Sequence, residues 1–270
     1  MIEGFAAVPD REMYRLRNAT VPVALLAEPA PAPVSADGLA VVDLVIREGR
    51  IAAIEPPGSA AAGADGCDLR RGLVWPCPVD VHTHLDKGHT WGRAPNADGT
   101  FAGAIQAVAA DRKAHWSAED VRRRMEFGLA CSYAHGTKAV RTHLDSFAPQ
   151  AEISWGVMAE VRRSWAGRVE LQAVSLVSLE TFRGPEGDAL ADRVAAGAGI
   201  LGAVTYMTPD IDALLDRLFD LARERDLEVD LHCDESGDVG ARALSHIARA
   251  VLRRRFAGRV ICGQIPLLEG

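Results

Sequence analysis

No stretch of this chain approaches the ~20 consecutive apolar residues that a membrane span needs. The first residues, Met1-Ile2-Glu3-Gly4-Phe5, lack the basic-then-apolar order of a secretory signal. Cysteine is sparse: Cys67, Cys77, Cys131, Cys233 and Cys262 are scattered, odd in number and never spaced as CxxC. That excludes a disulfide framework and a cysteine zinc site, and it suits a reducing cytoplasm. The formal net charge is -7 and no basic stripe is present, so a nucleic-acid polymer is a poor partner. Two basic triplets, Arg122 to Arg124 and Arg253 to Arg255, read as exposed helical turns. No GxGxxG follows the first strand of the larger region, which argues against a dinucleotide-binding open sheet. The expectation is a soluble cytoplasmic protein with a small-molecule partner and no membrane contact; self-association into a homo-oligomer stays open.

What the sequence does contain is an ordinary globular balance over 270 residues, 48% hydrophobic and 25% charged. Residues 1–72 and 73–270 differ in rhythm. In the first part, Pro29, Pro31 and Pro33 mark an extended loop. Val41 to Ile46 and Ile51 to Ile54 then form a hairpin through Arg47-Glu48-Gly49-Arg50. So few strands enclose no core alone, so this part is read as a piece of a small flanking β-sandwich domain.

From residue 73 onward, short apolar runs alternate with amphipathic stretches. The expected strands are Val79 to His84, Ala139 to His143, Val169 to Val177, Leu201 to Thr205, Val229 to Cys233 and Val260 to Cys262. A helix is expected from Ser117, as N-cap, to His135-Gly136, and another from Ile211 to Arg225. This order predicts an α/β fold with a parallel sheet flanked by helices. Histidines fall at strand ends, where a (β/α)8 TIM-type barrel carries its chemistry. About six of the eight strands are present, so the expected barrel is incomplete and exposes the edge of its last strand.

His82-Thr83-His84 ends the first of these strands. Residues two apart on a strand point the same way, so both imidazoles can reach one divalent ion. His232, ending the fifth strand, is placed to be a third ligand. Glu235 lies just beyond, where a carboxylate could move protons between water and a substrate nitrogen. The plainer alternative makes it a carboxylate at a helix N-terminus. His143 and Asp145 repeat the two-residue spacing at the end of the second strand. They are read as orienting ligands or substrate, with direct ligation less favoured. His89 is a candidate pocket residue in the loop after the first strand. Asp234 reads as structural, and His115, His135 and His246 as surface or packing residues.

The run Pro76-Cys77-Pro78-Val79-Asp80-Val81-His82-Thr83-His84-Leu85-Asp86-Lys87 resembles the HxH strand of the amidohydrolase superfamily. Arg141 to Asp145, His232-Cys233-Asp234-Glu235 and the stretch from Asp111 to Gly136 are similar to its cytosine deaminase branch. The resemblance implies one zinc or iron ion on His82, His84 and His232, with Glu235 as the proton shuttle. Attack of metal-bound hydroxide on cytosine or a related nitrogen heterocycle would then release ammonia. Cyclic-amide hydrolysis on the same scaffold, and a non-catalytic fragment, are the other readings. Three departures accompany the match. Gln264 stands where the family has a histidine that helps activate water, and the aspartate of the eighth strand has no counterpart. Ser178 lies about where the cytosine deaminases place a base-gripping glutamine. The 270-residue chain alone is therefore expected to turn over little substrate.

Overall fold

The computed structural model describes residues 8–59, 66–236 and 238–265. The chain divides into two compact units, Met1–Pro76 and Cys77–Gly270.

The first unit is a four-stranded sheet in the order β3-β2-β1-β4. Its strands are β1 (Met13–Pro22), β2 (Leu39–Arg47), β3 (Arg50–Glu55) and β4 (Gly66–Asp68). The β2–β3 hairpin turns on Glu48 and Gly49, both at positive φ (51° and 72°). Such a two-residue turn matches the natural twist of its strands and favours glycine. Ala19, Val21, Ala40, Val42, Leu44 and Ile46 form the core. Nothing in the sequence analysis anticipated β1. Its register slips between Leu16 and Ala19, where Asn18 takes a positive φ of 52°, so strict alternation is broken.

The second unit alternates strand and helix. After β5 (Val79–Thr83) come α1 (Phe101–His115) and α2 (Ala118–Ala134), then β6 (Ala139–Asp145) and α3 (Gln150–Ser164). There follow β7 (Glu170–Leu176), α4 (Pro185–Ala196), β8 (Leu201–Thr205) and α5 (Ile211–Glu224). The unit ends with β9 (Val229–Cys233), α6 (Ala243–Arg254) and β10 (Val260–Gly263). Ser117 caps α2 as its position predicts, accepting from the Asp120 amide.

Pairing is parallel within β5-β6-β7 and within β8-β9-β10. Isolated parallel bridges, Val174–Ile200 and Ser178–Val204, join the two sets. The six strands therefore run in chain order, as an α/β sheet with its connecting helices. Apolar side chains of β8 and β9 (Leu201, Ala203, Val229, Leu231) pack on Leu214, Leu215, Leu218 and Phe219 of α5, all nearly inaccessible to solvent.

The sheet is strongly curved. Arg141 on β6 donates to the carboxylate of Asp230 on β9 at 2.8 Å, although β7 and β8 lie between them. Strands spaced about 4.8 Å apart would hold those residues ~14 Å from each other in a flat sheet. At the outer strands, Gln264 beyond β10 comes within 3.1 Å of His82 on β5. Val79 and Val81, on the face of β5 that points the other way, remain exposed at 59% and 65%.

Candidate metal centre and active site

The concave face of the second unit is layered. Asp80, Arg141, Gln172 and Asp230 occupy one level, and two residues further along their strands lie His82, His143, Val174 and His232. In the lower level the Arg141 guanidinium spans Gln172 Oε1 (2.9 and 2.8 Å) and Asp230 Oδ2. A half-buried arginine paired in this way fixes the spacing of β6, β7 and β9 below the histidines.

The upper level gathers four imidazoles. His82 lies 5.4 Å from His84 and 4.6 Å from His232 between ring centroids. His84 and His232 are 5.5 Å apart, and His143 stands 4.6 Å from His232. One nitrogen from each of His82, His84 and His232 lies within 4.8 Å of the other two. Both ring nitrogens of buried His232 and of buried His143 are without a hydrogen-bond partner. Buried polar atoms are almost always satisfied, so orphaned nitrogens converging from several strands are donors without a ligand. This set is chemically suited to a divalent ion such as zinc.

Burial keeps these rings neutral, the form in which imidazole ligates. It lowers the His84 pKa to about 2, with help from the Lys87 charge, and that of His232 to about 3. The pKa values of His82 and His143 fall for the same reason. His84 Nδ1 stands 3.3 Å from the carbonyl oxygen of His143. With the proton on Nδ1, that hydrogen bond frees Nε2 for an ion.

Glu235 follows β9. The preceding Asp234 adopts a left-handed conformation (φ 53°) and its carboxylate accepts from the amides of Ala243 (2.8 Å) and Leu244 (3.2 Å). Asp234 therefore caps α6 and turns the chain, and the helix-terminus role falls to it rather than to Glu235. Glu235 is half-buried, which raises its pKa, while Lys87 opposes the rise.

The other residues singled out in the sequence have separate placements. Asp145 is buried beside His143, but both its oxygens pair with cations: Lys87 Nζ at 2.7 Å and the Arg112 guanidinium. Ser178 bridges to Val204 at the same rim, and its hydroxyl donates to Glu180. The structure does not bring His89 to the cluster. Its exposed ring packs edge-on against Phe127 of α2, with centroids 4.6 Å apart. Gln264 lies at the cluster, against His82.

Two residues from the HxH neighbourhood carry more than the sequence analysis gave them. Asp86 is fully buried and accepts from the Asp145 amide at 2.7 Å, while the Leu85 amide donates to Thr142 Oγ1 at 2.9 Å. These bonds stitch the segment carrying His84 to the end of β6. Burial, with the nearby Asp145 charge, pushes the Asp86 pKa up to about 7. Lys87, whose ammonium is held by Asp145 at 2.7 Å, acts electrostatically on His84, His232 and Glu235 together. Their position directly after the His82–His84 pair was the available signal.

No protein-family model matches the chain. A pterin deaminase of Rhizobium rhizogenes is 47% identical over 265 residues, covering 97% of this chain and 60% of that protein. The crystal structure of 5-methylcytosine deaminase from Klebsiella pneumoniae with phosphonocytosine superposes with a TM-score of 0.74 at 25% identity. That match covers 92% of this chain and 58% of the other. The crystal structure of N-isopropylammelide isopropylaminohydrolase from Burkholderia multivorans gives 0.71 at 27% identity, covering 93% and 60%. The chain thus spans about 60% of the length of the pterin deaminase it matches. With histidines ending its parallel strands, the chain is similar over nearly all of its length to deaminase-like members of the amidohydrolase superfamily.

Proposed function

We propose that this chain carries the metal centre of a hydrolytic deaminase acting on an amino-substituted nitrogen heterocycle. A pterin is the first candidate and cytosine the second. The single observation that carries the reading is the convergence of His82, His84 and His232, with nitrogens within 4.8 Å of one another. The 47% identity to a pterin deaminase favours the bicyclic ring over the monocyclic one.

In this reading His82, His84 and His232 hold one divalent ion, zinc or iron. When bound, such an ion supplies the charge that lets water ionise near neutral pH. Glu235 takes a proton from the water and delivers it to the exocyclic amine. The C–N bond breaks as a C–O bond forms, and ammonia leaves. Its raised pKa suits both halves of that transfer, because a group titrating nearer to neutrality can accept and donate. Lys87 lies where it limits that rise. His143 is a wall of the cavity and a substrate contact, and Ser178 is a rim contact. Asp145 acts by holding Lys87 and Arg112 in place. The protein works in the cytoplasm.

The similarity to N-isopropylammelide isopropylaminohydrolase supports a second reading, release of an alkylamine from a substituted triazine. The test is chromatography of zinc-loaded protein incubated for hours with pterin, cytosine or an N-alkylated triazine. Ammonia and the 2-oxo pteridine should appear from pterin, and Glu235→Gln should abolish both. Alkylamine release without ammonia would favour the second reading. No product from any of them, with one zinc bound per chain, would overturn both.

A further inference from the structure

One aromatic side chain at the mouth has no part in the chemistry above. Tyr206 follows β8 directly, at the same level as the residues that carry the site on β9. In the β8–β9 ladder Val204 pairs with His232 and Thr205 with Cys233. Side chains alternate along a strand, and continuing that alternation one residue past the end of β8 puts Tyr206 on the face of Val204 and His232. Leu201, Ala203 and Thr205 take the opposite face, and all three are buried. The hydroxyl of Thr205 donates to the His232 carbonyl at 2.8 Å, which ties the end of β8 to the strand carrying that ligand.

Tyr206 is 39% exposed, so part of the residue is open to a ligand. It is also within electrostatic reach of Glu235: burial raises its pKa first, and the Glu235 carboxylate raises it further. A heterocycle whose reacting carbon lies between the imidazoles and Glu235 must present a ring face to whatever lines that side. An aromatic side chain there stacks on any planar ring and gains more from two fused rings than from one.

The geometry points to Tyr206 as a specificity-determining wall of the site, whose ring stacks on a planar heterocycle and favours a fused bicycle over a single ring. This rests on the deaminase reading and deepens it. Tyr206 takes no proton and breaks no bond. Its contribution is binding, through ring area rather than through the phenol hydroxyl.

The test is equilibrium binding of pterin, followed by its own fluorescence, and of cytosine by calorimetry, to protein carrying one zinc per chain. Tyr206→Phe should bind pterin within about twofold of the unaltered protein. Tyr206→Leu, which keeps bulk without an aromatic face, should weaken pterin about tenfold and cytosine about threefold, as expected for a lost stacking contact. Zinc content should stay at one per chain in both variants, which separates loss of the wall from loss of the fold. Tyr206→Leu binding pterin as tightly as the unaltered protein would overturn the proposal. If zinc-loaded unaltered protein binds neither ring, the deaminase reading itself falls, and the proposal with it.

Discussion

The imidazole of His143 stacks on that of His82, with ring centroids 4.1 Å apart and planes inclined at 30°. The His143 ring is fully buried and neither nitrogen has a partner. His82, His84 and His232 each offer a nitrogen within 4.8 Å of the other two. In the proposed reading His143 lines the ligand set without joining it. Its carbonyl holds the His84 ring, and its own ring backs His82.

That arrangement separates the effects of two substitutions on metal binding. His232→Ala removes one of three donors and should lower zinc affinity by a hundredfold or more. His143→Ala leaves the donors in place and should cost about tenfold, within the usual range for a group supporting a ligand. Competition with a chromogenic chelator measures both. Equal losses would place His143 inside the coordination sphere.

The buried imidazoles also set how the metal-free protein responds to acid. Folding lowers the pKa of His84 from 6.5 to about 2 and that of His232 from 6.5 to about 3. As pH falls below 6.5 the unfolded chain takes up protons that the folded chain refuses. Stability is therefore greatest above that value and declines towards the folded pKa values. For His232 alone the loss at pH 5 is on the order of 2 kcal/mol. Urea denaturation of chelator-treated protein should show a lower midpoint at pH 5 than at pH 7. A midpoint unchanged between the two would mean that the rings are not buried in solution.

How much of this was legible in the sequence depended on how local the signal was. The limits of β8 and β9 and the N-cap of α2 follow from apolar runs and one hydroxyl, all within a few residues. The HxH pair and His232 were legible because strand alternation and strand-end chemistry need no knowledge of distant contacts. β1 was hidden by the slip at Asn18, which spoils its period of two. α1 was missed for another reason. Its one buried residue is Asp111, held by Arg93 at 2.7 Å and by the Trp116 indole at 2.7 Å, so no apolar stripe marks it. The engagement of Asp145 by Lys87 and Arg112 depends on tertiary approach, which no spacing reveals. His89 packs against Phe127, because proximity in sequence to a histidine pair says nothing about the direction in which a loop leaves.

Gln264 offers a gain-of-function test. Its amide sits 3.1 Å from His82 Nε2, so the side chain at this position reaches the centre. A carboxamide has no proton to exchange near neutrality, whereas an imidazole does. Gln264→His should therefore raise ammonia release from pterin, by about tenfold to a hundredfold, with zinc affinity changed much less. The expected gain lies in turnover rather than in KM, because general acid–base help acts in the transition state. A rise in zinc content without a rise in turnover would instead make the new imidazole a ligand.

Two glycines in the second unit should respond to alanine in opposite directions. A Cβ on Gly202 of β8 would lie 2.5 Å from the Ser175 carbonyl oxygen, 2.5 Å from Val174 Cγ1 and 2.6 Å from the Asp230 carbonyl oxygen. Two of those three atoms are backbone, so β7 or β9 must move to admit it. Ser175 also clamps this residue, donating to its carbonyl at 3.0 Å and accepting from its amide at 2.9 Å. Gly202→Ala should cost about 1–3 kcal/mol of stability, the usual range for forced overpacking. It should also weaken zinc, because a displaced β9 carries Asp230 and His232 with it. At Gly156, within α3, nothing lies within 4 Å of an added Cβ. There alanine should stabilise by up to about 1 kcal/mol, since it restricts the unfolded chain and favours the helix. Denaturation midpoints and zinc titration of the two variants measure the contrast. Equal stability in both would show that the three strands are not in the close contact that brings the imidazoles together.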